Sequence, residues 1–240
     1  ARHRPELASC LHLAAAAGHA ECVRALLAAH GPSAKAAARG SLERALLGPW
    51  DLLANVRDAN GRLPLHSAAA NERVACVEAL VREGFSLLDE VDAEGDGAIH
   101  LAVLVADEAA GTQMCGLLAD AGGSVDLATA CGDTALHLAA EHGLEHACRA
   151  LLERAADVHA VEQAGGRTPL HFAARAACPE VCSQLLAAGA DPHALDAGQA
   201  TALMRSSCPR CRGLLSAAMR GAERGDYAVT AAEFSEGLEA

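Results

Sequence analysis

The chain has 240 residues, 52% of them hydrophobic but only 2% aromatic, and a formal net charge of −12. No stretch reaches the roughly 18 consecutive apolar residues of a membrane span, and no basic segment followed by an apolar one opens the chain as a secretory signal would. The acidic excess sits in residues 51–165, where twenty acidic face six basic side chains, which disfavours nucleic acid and anionic membranes as partners and favours a basic surface.

Taken in chain order, one short pattern recurs. Ser9-Cys10-Leu11-His12-Leu13-Ala14-Ala15 opens a helical stretch that ends in the paired aliphatics Leu26-Leu27. Residues 30–55 then form an insertion, with Gly31-Pro32, a short helix expected around Ser41–Leu47, and Gly48-Pro49-Trp50. A long connection of this kind is often functional; Trp50, the only tryptophan, is expected to fold back on the helices rather than stand out as an exposed anchor. The pattern returns as Leu63-Pro64-Leu65-His66-Ser67-Ala68-Ala69 and closes on Leu80-Val81. Gly97-Ala98-Ile99-His100-Leu101-Ala102-Val103 leads to Leu117-Leu118, with extra residues around Asp107–Thr112. Thr134-Ala135-Leu136-His137-Leu138-Ala139-Ala140 leads to Leu151-Leu152, and Thr168-Pro169-Leu170-His171-Phe172-Ala173-Ala174 to Leu185-Leu186. A sixth copy, Thr201-Ala202-Leu203-Met204, closes on Leu214-Leu215 and is about four residues short. The marker histidines are 54, 34, 37 and 34 residues apart, and Met204 follows His171 by 33. Gly-bearing tips lie between copies, as in Asp58-Ala59-Asn60-Gly61, Ala93-Glu94-Gly95-Asp96 and Gln163-Ala164-Gly165-Gly166.

This register resembles the ankyrin-repeat family, whose unit of about 33 residues carries a T-P-L-H-x-A signature. The resemblance spans residues 8–215 and implies an all-α solenoid of helix-turn-helix repeats with hairpin tips, flanked by an N-terminal segment 1–7 and a C-terminal tail 216–240. The residues agree with it. The threonines at 134, 168 and 201 suit helix caps, and Pro169 suits a first helical turn. A two-helix unit of this size cannot bury its own apolar face, so its neighbours must. His12, His66, His100, His137 and His171 share one repeat position. The resemblance implies that these imidazoles bond to neighbouring backbone and the threonine hydroxyl. One repeat apart, about 10 Å, they are too far from each other to share a metal ion.

The ten cysteines lie mostly inside helical patterns, and the chain is neither short nor loop-rich. They are expected to be reduced core thiols of an intracellular protein, cytoplasmic or nuclear. Cys208-Pro209-Arg210-Cys211 is a lone CxxC, with Cys178 and Cys182 one repeat earlier; without a second knuckle it is weak evidence for a metal or redox site. In the tail, residues 225–234 resemble the second half of a calcium loop. The loop would begin at Ala222 and carry Tyr227 sixth, where calcium wants Asp and Gly. A capping box, Thr230 to Glu233, opening a terminal helix is the preferred account. No phosphate loop, nucleophile elbow or H-E-x-x-H motif is present. No enzyme activity, metal or cofactor is expected.

The resemblance implies a protein-interaction module, a scaffold or adaptor, using a concave face built from tips and first helices. The register nominates Arg57, Asp58, Asn60, Arg62, Asp92, Glu94, Asp96, Asp133, Gln163 and Arg167 at the tips, and Asn71, Glu141, His142 and Arg175 after the marker helices. Asp89, Glu90, Asp92, Glu94 and Asp96 form the densest acidic run, so a partner with a basic segment is expected, bound by a monomer. The alternatives are a targeting region of a larger enzyme such as a ubiquitin ligase and, third, a calcium- or metal-responsive regulator.

Overall fold

The computed structural model of the chain describes residues 5–30, 56–82 and 87–223. Among them are twelve helices in pairs: α1 Pro5–Ala17 and α2 Ala20–His30; α3 Pro64–Ala70 and α4 Val74–Arg82; α5 Ala98–Val103 and α6 Glu108–Asp120; α7 Ala135–His142 and α8 Glu145–Leu152; α9 Pro169–Arg175 and α10 Pro179–Ala187; α11 Ala202–Arg205 and α12 Pro209–Glu223. The expectations for Ser41–Leu47, Trp50 and the Thr230–Glu233 capping box lie outside the described residues.

Each first helix from α3 to α11 starts in the same way. The residue before it, Leu63, Gly97, Thr134, Thr168 or Thr201, is extended, with ψ between 162 and 167°. Pro64 and Pro169 take the first helical position, where the missing N–H costs nothing. Three residues into each of the four first helices α3, α5, α7 and α9, a histidine Nδ1 accepts the amide hydrogen of the preceding extended residue, at 3.0–3.2 Å. This is the returning half of a capping box, with imidazole in the place of the usual carboxylate.

Spacing decides what each helix buries. In the first helices Leu65, Ala68 and Ala69; Ile99, Ala102 and Val103; Leu136, Ala139 and Ala140; and Leu170, Ala173 and Ala174 are all buried. Alanines at the contact bring backbones close, so the core fills with little help from aromatic rings, Phe172 being the buried one among the described residues. The second helices contribute Cys76, Val77 and Leu80, then Met114, Cys115 and Leu118, then Cys148 and Leu151, then Val181, Cys182 and Leu185, then Cys211 and Leu215.

The chain divides into two compact units, Ala1–Ser124 and Val125–Ala240. In the first, α1 packs on α3 and α3 on α5, while α2 packs on α4 and α4 on α6. In the second, α7 packs on α9 and α9 on α11, while α8 packs on α10 and α10 on α12. Each unit is thus a row of first helices lying on a row of second helices, held by contacts between neighbouring repeats.

The irregular copies have local causes. The extra residues of the third copy lengthen α6 to 13 residues, against 9 in α4 and 8 in α8. The Asp107 carboxylate caps α6 by accepting the Ala109 N–H at 3.0 Å. Glu72 accepts the Ala106 N–H at 3.0 Å, so the previous repeat steadies the longer connection. The sixth copy loses its residues from the first helix, since α11 has only 4. Its second helix, α12, has 15 residues and runs past position 215 to Glu223.

Candidate functional site

The hairpin tips are built on one side chain each. Asp58 Oδ1 accepts the amide hydrogens of Asn60 and Arg62 at 2.8 and 2.9 Å. Asp92 Oδ1 does the same for Glu94 and Asp96 at 2.9 and 3.0 Å, and Asp196 Oδ1 for Gly198 and Ala200 at 2.8 and 3.0 Å. Thr129 Oγ1 takes this place for Cys131 and Asp133, and Glu162 accepts the Ala164 amide. Within each unit successive tips are joined through the backbone: Ala93 N–H donates to Asn60 O at 3.1 Å, Gln163 N–H to Cys131 O at 3.0 Å, and Ala197 N–H to Gly165 O at 2.8 Å.

The marker histidines form the second seam. Because Nδ1 accepts an amide hydrogen, it carries no proton, and Nε2–H must be the donor. His66 donates to Glu90 O at 2.9 Å, His137 to Arg167 O at 3.1 Å and His171 to Ala200 O at 3.1 Å, each reaching the next repeat. The Thr134 and Thr168 hydroxyls lie 3.0 and 2.9 Å from the same Nδ1 atoms. Burial pushes the pKa values of His66, His137 and His171 below the usual imidazole value. In the last copy Met204 stands where the histidine would be, and the buried Thr201 hydroxyl has no hydrogen-bond partner.

In the first unit the nominated residues separate into two kinds. Asp92 is internal: its side chain is 0% exposed and pairs with Arg62 Nε at 3.0 Å. Burial alone would raise its pKa, but the Asp96 amide, the Arg62 guanidinium and the Glu94 amide together hold it below the ordinary carboxylate value. Asp92 therefore leaves the set of surface contacts; its sequence position looked like that of its neighbours because the tip's organising carboxylate and its exposed ones are two residues apart. Glu94 is 71% exposed, with a loose contact to Arg62 at 3.4 Å. Asp96 is half-buried, and burial raises its pKa. Arg57 pairs with Glu90 and also donates to Gly61 O and Val91 O. Asp58 is spent on its own turn, Asn60 presents an exposed side chain, and Asn71 Nδ2 donates to Ser67 O at 2.8 Å.

In the second unit Phe172 is the centre. The guanidinium groups of Arg167 and Arg175 each lie 5.1 Å from its ring centroid, a cation–π distance. Arg175 pairs with Glu141, and Arg167 pairs with the buried Glu162 at 2.7 Å. Hydrogen bonds from Arg167 and from the Gly165 and Ala164 amides outweigh burial and hold the Glu162 pKa down. Asp133 is half-buried, one of its oxygens has no hydrogen-bond partner, and burial raises its pKa. Gln163 and His142 are exposed.

The sequence reading missed Thr129, Glu162 and Asp196. A signal existed for Asp196, since Asp58-Ala, Asp92-Ala and Asp196-Ala all open a tip.

Among the described residues, one set of potential metal ligands has atoms within 4.8 Å of one another: Asp92, Glu94 and Asp96. The Asp92 carboxylate is already committed to Arg62 and two amides, which disfavours its use as a ligand.

Comparison with known proteins agrees with this architecture. A family model described as ankyrin repeats (3 copies) matches residues 3–111 and again 104–196. The chain belongs to the ankyrin-repeat family, and ankyrin repeats are protein-interaction modules. A putative E3 ubiquitin-protein ligase, XBAT31 of Arabidopsis thaliana, is 40% identical over 76 residues, which is 32% of this chain and 15% of that protein. The chain therefore matches a small part of that relative's length.

Proposed function

We propose that this interaction module receives a basic segment of a partner protein at the tip that carries Glu94 and Asp96. The observation behind the reading is a local charge imbalance. Three carboxylates, Asp92, Glu94 and Asp96, crowd within 4.8 Å, and Arg62 pairs with the first two of them. A half-buried Asp96 with a raised pKa is a carboxylate that an incoming cation would relieve. In the second unit Glu141 and Glu162 are matched by Arg175 and Arg167, so that region offers paired charges rather than net attraction.

The test is recovery of partners on the tagged chain and on a Glu94→Lys/Asp96→Lys variant, identified by mass spectrometry. Asp92 is left unchanged, because reversing it would break the turn. A basic protein captured by the first bait and lost on the second supports the reading. A partner held equally by both removes the acidic tip from the interface.

A second reading keeps the same surface and makes the chain the targeting region of a larger enzyme. The match to part of a putative ubiquitin ligase fits it without favouring it. Ubiquitin attached to the captured partner by the complete protein, and not by a form lacking these repeats, would support it.

A further inference from the structure

One corner of the second unit gathers three thiols: Cys182 and Cys211, at the buried second-helix position that Cys148 also fills, and Cys208, which lies outside that register. Cys208 precedes α12, and its carbonyl accepts the Arg212 amide at 3.0 Å, so it occupies the cap of a 15-residue helix. Cys211 sits one turn in and is buried, while Cys208 is half-exposed. The Cys211 thiol interacts with those of both Cys208 and Cys182. Arg210 reaches towards Glu180 of α10 at 3.6 Å and places its positive charge beside Cys208. Each of these groups is on α12, its cap, or the neighbouring α10.

The two thiols of the CxxC are made unequal by this placement. Amide hydrogens at the start of α12, from Cys211 first and Arg210 after it, lower the Cys208 pKa, and Arg210 adds to this. Burial, followed by the neighbouring Cys208, raises Cys211 to about 11. Burial, followed by Cys211, raises Cys182 further. One thiol is half-exposed and ionises more easily than an ordinary cysteine, and its neighbour is buried and held protonated. That asymmetry is the arrangement in which an attacking and a resolving thiol divide the work of disulfide exchange. A thiolate metal site is a poorer fit. Zinc–sulfur bonds of about 2.3 Å put sulfurs about 3.8 Å apart. Among the described residues no three of these cysteines bring their sulfurs within 4.8 Å of one another.

We propose that Cys208 and Cys211 are a reversible thiol–disulfide pair at the head of α12, oxidised by low-molecular-weight disulfides of the glutathione type. The Cys208 thiolate attacks one sulfur of the small disulfide. That S–S bond breaks, one small thiolate leaves with its electron pair, and a mixed disulfide remains on Cys208. Cys211 then gives its proton to solvent and attacks the Cys208 sulfur, expelling the second small thiolate. Two protein thiols are oxidised to one disulfide while the small disulfide is reduced to two thiols, and excess small thiol runs the exchange backwards.

The experiment equilibrates the full chain in buffers of oxidised and reduced glutathione, alkylates the remaining thiols, and maps the peptides. The expected result is joint loss of alkylation at Cys208 and Cys211, with a peptide bearing the bond between them, restored by reduced glutathione. Cys211→Ser should accumulate the glutathione mixed disulfide on Cys208, and Cys208→Ser should leave Cys211 alkylated only after unfolding. With a small alkylating agent at neutral pH, Cys208 of the reduced chain should react several-fold faster than exposed Cys10 and Cys22. Any of three results overturns the proposal: a bond mapped between Cys182 and Cys211, a Cys208 reactivity no greater than that of Cys10, or stoichiometric zinc that protects all the thiols of this corner.

Discussion

At the residue scale, the buried imidazoles have a measurable consequence. His66, His137 and His171 are held neutral, because protonating Nδ1 would oppose an amide donor already pointing at it. Their folded pKa values lie below the usual 6.5. An unfolded chain therefore binds protons that the folded chain refuses once the pH drops through that value, and stability is complete above it and falls below it. Asp92, Glu162 and Asp196 have lowered pKa values, so what they contribute is lost only near and below the carboxylate range. Asp96 and Asp133, raised by burial, act with the opposite sign. The interval from about pH 7 to pH 5 thus belongs to the histidines. Urea midpoints followed by circular dichroism should fall across it with the slope of the transition unchanged. His137→Gln should flatten part of that fall and cost about 1–3 kcal/mol at neutral pH, since it strands the buried Thr134 amide and the Arg167 carbonyl. An unaltered pH profile in this variant would show that His137 does not titrate with folding.

Turns set the element scale. Most helix ends and tips place a residue in the left-handed region, and glycine fills most of these positions, as at Gly132, φ 85°. A methyl group there would lie 2.8 Å from the Gln163 amide nitrogen of the adjoining tip. Gly132→Ala should therefore cost more than the bare left-handed penalty of about 1 kcal/mol, because the tip-to-tip hydrogen bond must also move. Elsewhere the chain departs from glycine: Ala155 and Ala177 both have φ 61°. Neither side chain carries a hydrogen bond that would compensate, so Ala155→Gly and Ala177→Gly should each stabilise by about 0.5–1 kcal/mol. Chemical denaturation of the single variants and the pair checks both the sign and their additivity. Glu72, φ 63°, is different, because its carboxylate holds the Ala106 amide. Much of this was legible beforehand. The register of Leu or Ile, then His-x-Ala, located every first helix from α3 to α9 and the buried face of each. The fate of the irregular copies was not legible. Sequence shows that the sixth copy is short, but not that the loss falls on α11, because a missing turn and a missing loop look alike without the neighbour that each packs on.

For the whole molecule, the question is which charges belong to the surface. Counting acidic residues in 51–165 gives the sign of the field, but it assigns Asp92 and Glu94 the same role. The structure separates them by exposure, 0% against 71% of the side chain. Sequence could not do this, because whether a carboxylate caps its own turn depends on the Arg62 guanidinium delivered from the preceding repeat. The separation gives opposite expectations for two neighbouring substitutions. Asp92→Ala removes acceptors for the Glu94 and Asp96 amides and leaves Arg62 without its buried partner, so it should lower stability by about 2–4 kcal/mol. Any loss of binding it causes would follow from the distorted tip. Glu94→Lys should leave stability within about 0.5 kcal/mol. It should nevertheless weaken capture of a basic partner, about tenfold at low ionic strength and less as salt screens the exposed charges. Thermal melts and a salt series of the binding constant on the same two variants make the comparison. If Glu94→Lys binds as the parent does at every ionic strength, the acidity of this chain serves solvation of its helices and not recognition, because the tip's most exposed carboxylate would then have no effect on the encounter.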